Sequence, residues 1–166
     1  MGRFLSAITI LVSIFMLCPA HASDDYETFG NGNSNEKWRN CYKGARTPAV
    51  VKDYKDVAIA TFHEKTLPVD YVKKAIVEAA RKNKWNIGNV AGGKIGGKLE
   101  ASLLVRGKHT VIVEIPYTAE KYSLLYKEST NMNYASCESE RYIHPNYNVW
   151  VGRLQQAIVT ELEAIE

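Results

Sequence analysis

The chain has 166 residues, 46% hydrophobic and 23% charged, with 11 glycines and 5 prolines. That is the make-up of one globular domain, and it excludes a collagen, a wholly disordered chain and a disulfide-dense miniature. Lys and Arg number 21 against 18 Asp and Glu, a net charge of +3, too small an excess to argue for nucleic acid.

Residues 1–22 have the layout of a secretory signal peptide. Arg3 supplies the positive start, Phe4 to Leu17 is an almost unbroken apolar run, and Pro19 ends it ahead of Ala20-His21-Ala22. Cleavage is expected before Ser23. The run falls short of the roughly 20 residues of a membrane-spanning helix. Lipid attachment at Cys18 is disfavoured, because Leu17 stands where a small residue is wanted. The mature chain is therefore expected in a periplasm or outside the cell. Residues 23–54 read as a polar, turn-rich leader or arm, ordered near Trp38 and Cys41, and residues 55–166 as a single domain.

The pattern along that domain predicts a strand over 57–62, then an amphipathic helix. Thr66, Pro68 and Asp70 mark its start; Val72, Ile76, Ala79 and Ala80 form its apolar face, and it ends near Asn83. A short strand over 85–90, a glycine-rich turn over 91–97 and strands over 98–106, 109–115 and 121–127 give a meander, with turns at Arg106-Gly107-Lys108 and 116–120. A polar loop is expected over 129–143. The last helix starts at Pro145 or Asn146 with Tyr147, Trp150, Val151, Leu154, Ile158, Leu162 and Ile165 on one face. The order strand, helix, strands, helix predicts an α+β two-layer sandwich: a mostly antiparallel sheet with two amphipathic helices on one face.

Several features resemble chemistry. Gly88 to Lys94 and Gly92 to Lys98 each fit G-x-x-x-x-G-K, but Ile95 and Leu99 stand where a phosphate loop needs Ser or Thr, and a strand pattern follows where a helix should open. No nucleotide or other cofactor is expected. In an oxidising compartment Cys41 and Cys137 are expected to form a disulfide. Their rival roles are free thiols or a nucleophile working with His144. No ligand spacing for a metal is present. Lys94, Lys98, Arg106 and Lys108 surround two turns and could meet an anionic envelope surface; exposed lysines also need no partner. The tyrosines of the C-terminal third suit either a binding groove or a core. No G-x-S-x-G, H-E-x-x-H or paired-carboxylate signature appears, so a non-enzymatic reading is preferred.

Ile143-His144-x-Asn146-Tyr147-Asn148-x-Trp150-Val151, with Tyr122, Tyr126, Ser129, Asn131 and Tyr134 before it, resembles a family of small proteobacterial envelope proteins, many of them predicted lipoproteins. The resemblance spans roughly residues 55–162. It implies an envelope location and a compact α+β domain, and no reaction. Cys41 and Cys137 have no place in that pattern. Read from the residues alone, Tyr147 and Trp150 are core anchors of the last helix, while Asn146 and Asn148 would fix its start against the preceding loop. The expected function is a non-enzymatic binding or accessory module of the cell envelope, engaging an envelope protein or anionic surface through the sheet face or the 129–143 segment. The alternatives are a small-ligand carrier with an apolar cavity between sheet and helices, and a hydrolase or thiol enzyme using His144.

Overall fold

The structure, a computed structural model, describes residues 37–59 and 67–165. Residues 1–22, read above as a signal peptide, with Cys18, the polar residues 23–36, and Phe62 and Thr66 lie outside them. The elements in chain order are β1 (Ala49–Val50), β2 (Tyr54–Ala58), α1 (Val69–Lys82), β3 (Asn86–Gly93), β4 (Gly96–Val105), β5 (His109–Thr118), β6 (Lys121–Thr130), β7 (Ala135–Cys137), β8 (Glu140–Ile143) and α2 (Asn146–Glu163). Five strands form one antiparallel sheet in the order β2-β6-β5-β4-β3, and three form a small one in the order β1-β8-β7. The fold is α+β, as the periodicity predicts. No helix of the described residues is long and apolar enough to cross a membrane.

The helices form where an apolar stripe recurs every three or four residues. On α1 the stripe is Val72, Ala75, Ile76, Ala79 and Ala80; on α2 it is Tyr147, Val151, Leu154, Ile158 and Leu162. Asn83 ends α1 by donating its side-chain amide to the Ala79 carbonyl at 2.9 Å. Ile165 falls just past the end of α2 and is half-buried. Alternate residues of the strands complete the core: Leu99, Ala101 and Leu103 on β4, Val111, Val113, Ile115 and Tyr117 on β5, Tyr122 and Leu124 on β6. Each large side chain buried there stabilises the fold by about 1.5–3 kcal/mol relative to exposure.

The opposite face of the sheet carries charged side chains alongside the exposed Leu104. Glu100 and Glu114 stand directly across from one another on β4 and β5, a like-charge pair that would weaken the ladder if unanswered. Lys98 pairs with Glu114 at 3.1 Å, and Lys127 pairs with Glu100 and reaches Glu114 at 3.9 Å.

The structure corrects the predicted elements in four places. The glycine-rich segment over 91–97 is mostly strand: β3 continues to Gly93, only Lys94 and Ile95 turn, and β4 resumes at Gly96. The glycines there allow close approach, since a Cβ on Gly96 would lie 2.4 Å from the Tyr117 carbonyl oxygen. The strand placed over 57–62 begins earlier, at Tyr54. Pro116 lies inside β5 rather than in the turn, in a stretch where the β5–β6 register has no paired residues between Glu114 and Tyr117, so its missing N–H is tolerated. The polar segment over 129–143 carries the end of β6 and both β7 and β8.

Part of the stretch read as a leader is also packed. Residues 37–53 run as an arm whose β1 pairs with β8. A Cys41–Cys137 disulfide joins the arm to β7. Tyr42, Cys137 and Tyr142 form a small core beside it, separate from the main one. The Asn148 side chain grips the arm from α2, accepting from the Lys52 N–H at 3.0 Å and donating to the Val50 carbonyl at 2.8 Å. Asn148 thus fixes the arm, and not the preceding loop as its position suggested. Asp53 closes the seam: its carboxylate accepts from the Tyr126 N–H at 2.9 Å and pairs with Arg141 at 2.6 Å.

Candidate functional site

The arm, the β4–β5 turn, the β6–β7 connection and the start of α2 meet at one end of the large sheet. They enclose a cleft of about 310 Å³. Arg46 comes from the arm, Arg106 from the turn, His109 from the first residue of β5, His144 and Asn146 from the start of α2, and Trp150 from one turn further along it. Val105 and Met132 supply apolar wall. Among the described residues no carboxylate lines the cleft.

Local geometry explains this convergence. The turn places Arg106 and Gly107 at positive φ, 53° and 68°, a bend in which Gly107 carries no steric cost. Asn131, itself at φ 57°, clamps the turn: its side chain donates to the Lys108 carbonyl at 2.6 Å, and its own carbonyl accepts from His109 Nδ1 at 2.9 Å. A carbonyl only accepts, so the His109 proton sits on Nδ1 and Nε2 is its free nitrogen. His144 has the opposite arrangement. Its Nδ1 accepts from the Asn146 N–H at 3.2 Å, so in the neutral ring Nε2 carries the proton. The His144 N–H donates to the Met132 carbonyl at 2.9 Å.

The electrostatics match this geometry. Burial first, then the neighbouring Arg46 and His109, hold His144 below its ordinary value of 6.5. Among the described residues neither Arg46 nor Arg106 has an ion-pair partner. The first turn of α2 has no acidic residue, so the positive end of the helix dipole is unanswered there.

The predicted site residues are distributed as follows. Cys41 and Cys137 are joined, so neither sulfur is a free thiol. Ile143 and Tyr147 are fully buried core residues. The Tyr147 hydroxyl has no hydrogen-bond partner among the described residues, and burial pushes its pKa well up. Trp150 is only partly buried and lines the cleft, which corrects its assignment as a core anchor: α2 turns its fully buried stripe a little away from it. The supposed patch of Lys94, Lys98, Arg106 and Lys108 is split. Lys94 and Lys98 lie at one end of β4, Arg106 and Lys108 at the other, about 30 Å apart along the strand.

Sequence reasoning missed Arg46, His109 and Asn131 as parts of one site. Arg46 and Asn131 stand in segments without a period, and only the folded arm brings Arg46 to the cleft. The glycine runs that fit a phosphate-loop spacing lie within the β3–β4 hairpin, with no helix after them. Most tyrosines of the C-terminal third are structural. Tyr117, Tyr122, Tyr142 and Tyr147 are buried, and Tyr134, 39% exposed, stacks on Tyr126 with ring centroids 4.6 Å apart. Among the described residues no group of His, Cys, Asp and Glu is arranged to hold a metal ion.

No protein-family model, curated protein or solved structure matches this chain.

Proposed function

We propose that this chain is an exported, non-catalytic binding module of a cell envelope and that the cationic cleft is the face it turns to its partner. The observation that carries this is the convergence of Arg46, Arg106, His109 and His144 from separate segments on a cleft with no carboxylate in its lining among the described residues. The signal-peptide pattern of residues 1–22 and the resemblance of the Ile143–Val151 run to small envelope proteins support the location. The carrier reading is disfavoured because the layer between sheet and helices is filled by side chains such as Ile76, Leu99, Val113 and Ile158, all without exposed surface.

The test is photo-crosslinking in intact cells that export the protein, with the crosslinker at position 106 or 146 and, as control, at position 94. A discrete adduct from the cleft positions and none from the control is the expected result. Equal adducts from all positions, or none, would contradict the reading. N-terminal sequencing of the exported protein should begin at Ser23.

A hydrolase using His144 remains the second reading, because the cleft is open and the two imidazoles offer a free Nε2 on His109 beside an Nε2–H on His144, the acid and base of a proton relay. Hydrolysis of a simple ester panel that disappears in His144→Gln would favour it. The thiol version has no nucleophile among the described residues, where Cys41 and Cys137 are bridged.

A further inference from the structure

We propose that the cleft binds a phosphate-type oxyanion, the terminal group of a small phosphomonoester whose carbon skeleton lies along Trp150. The inference rests on the binding-module reading and names the ligand class for it.

The chemistry of the walls points to a dianion. Arg46 and Arg106 reach the cleft from different elements, and each guanidinium presents a planar fork of donors matched to paired phosphate oxygens. His144 has its Nδ1 occupied by a backbone N–H, which leaves Nε2–H as a donor. His109 has its Nδ1 occupied by a backbone carbonyl, which leaves Nε2 as the nitrogen open to a ligand. α2 starts at the cleft without an acidic residue in its first turn, and helix starts of this kind favour anions. The two fixed positive charges of Arg46 and Arg106 exceed what one carboxylate or one phosphodiester neutralises. A phosphomonoester carries close to two negative charges near neutral pH.

The remaining wall argues for an organic part. Trp150 offers a partly exposed aromatic surface, and Val105 and Met132 continue it. At about 310 Å³ the space is at the small end of ligand pockets, which suits a phosphate with one ring attached. The same group occurs on a free sugar phosphate and on a phosphomonoester lipid headgroup.

A pH dependence follows from the surroundings of His144. It is faced by Arg46 from the arm, Arg106 from the turn and His109 from β5, with Asn146 and Trp150 from α2 and Met132 from the β6–β7 connection. None of these is an acid. A bound dianion supplies the missing counter-charge and favours uptake of a proton on His144.

The experiment is calorimetric titration of the oxidised, exported protein at low ionic strength. The probes are inorganic phosphate, glucose 1-phosphate, and vesicles of phosphatidylcholine carrying either phosphatidic acid, a monoester, or phosphatidylglycerol, a diester. Inorganic phosphate should bind, and at least one organic monoester should bind about tenfold more tightly. Arg46→Ala and Arg106→Ala should each weaken both by about tenfold or more, the scale of losing a charge-assisted bidentate contact. Tight glucose 1-phosphate identifies a soluble ligand; tight phosphatidic acid with weak glucose 1-phosphate identifies a lipid headgroup. Sulfate keeps its two charges between about pH 8 and about pH 5, so its affinity reports on the histidines. It should rise as pH falls below the ordinary histidine range, and less so in His144→Gln. A flat sulfate profile, or monoesters that bind equally to wild type and both arginine variants, would overturn the proposal. Binding of phosphatidylglycerol vesicles through Arg46 and Arg106, with no binding of phosphate or either monoester, would overturn the proposal and leave the binding-module reading standing. Absence of any anion binding together with absence of crosslinks from the cleft would overturn both.

Discussion

Two groups of cations on this molecule have the same chemistry and opposite surroundings. On the outer face of the large sheet, Lys98 and Lys127 each meet a carboxylate, and together they neutralise the facing Glu100 and Glu114. At the end of the same sheet, Arg46 and Arg106 meet none among the described residues, and no acid stands with the two imidazoles beside them in the cleft lining. The first arrangement is complete within the chain. The second is held in place by costly devices, namely a disulfide, the part-buried Asp53–Arg141 pair, and Asn131 fixing a turn at positive φ. The lesson is that charge marks a candidate site here only where the fold leaves it unanswered, and a count of lysines and arginines along the chain misses that distinction.

Four perturbations would break or sharpen the contrast. The largest effect is expected from Cys41→Ser with Cys137→Ser. The bridge spans a sequence separation of 96 residues, and its loss should cost about 2–4 kcal/mol of stability in urea denaturation, as for other long disulfide loops. The same variant should bind phosphate more weakly, because the arm that carries Arg46 loses its covalent tether. Unchanged phosphate affinity in the reduced protein would show that the arm holds its place without the bridge.

Asp53→Ala comes next. It leaves Arg141 without its carboxylate and the Tyr126 N–H without its acceptor, and should cost about 2–3 kcal/mol. A change within error by chemical denaturation would mean that water replaces both contacts. Trp150→Ala should cost about 1–3 kcal/mol, below the 3–5 typical of a fully buried large aromatic, because one side of the ring faces the cleft. A larger loss would return Trp150 to the core and remove it from the ligand surface.

The smallest effect is in pH dependence. His144 is held below its ordinary 6.5 when folded, so below that pH the unfolded chain takes up the proton more readily. Its contribution to stability is therefore present above pH 6.5 and is lost as pH falls through the folded value. His144→Gln should flatten that part of the stability–pH curve, measured by thermal melts from neutral to mildly acid pH. An unchanged slope would place the lost proton linkage elsewhere.

Much of the fold was legible in the residues. The stripes of α1 and α2 and the alternation of Val111, Val113 and Ile115 are long enough for period to decide the element. The second sheet was not legible, because β1, β7 and β8 have two, three and four residues, too few for an alternation to stand out among polar neighbours. Gly96 and Gly97 of β4 mimic a turn because their reason is tertiary: Tyr117 lies where their side chains would be. The site was the least legible part. Arg46 and His144 are far apart in sequence, and nothing local to either residue indicates the other. Only the disulfide, which the two remaining cysteines did predict, hinted that the arm returns to the region before α2.

The most direct test of the central claim compares one answered cation with one unanswered cation. Lys98→Ala and Arg106→Ala each remove a single exposed charge, and each should change stability by no more than about 1 kcal/mol, as for other surface charges. Inorganic phosphate would then be titrated into wild type and both variants while the ring resonances of His109 and His144 are followed by nuclear magnetic resonance. The account predicts that phosphate shifts both rings in wild type and in Lys98→Ala to the same extent, and that the response is largely lost in Arg106→Ala. Equal responses in the two variants, or no response in wild type, would contradict it.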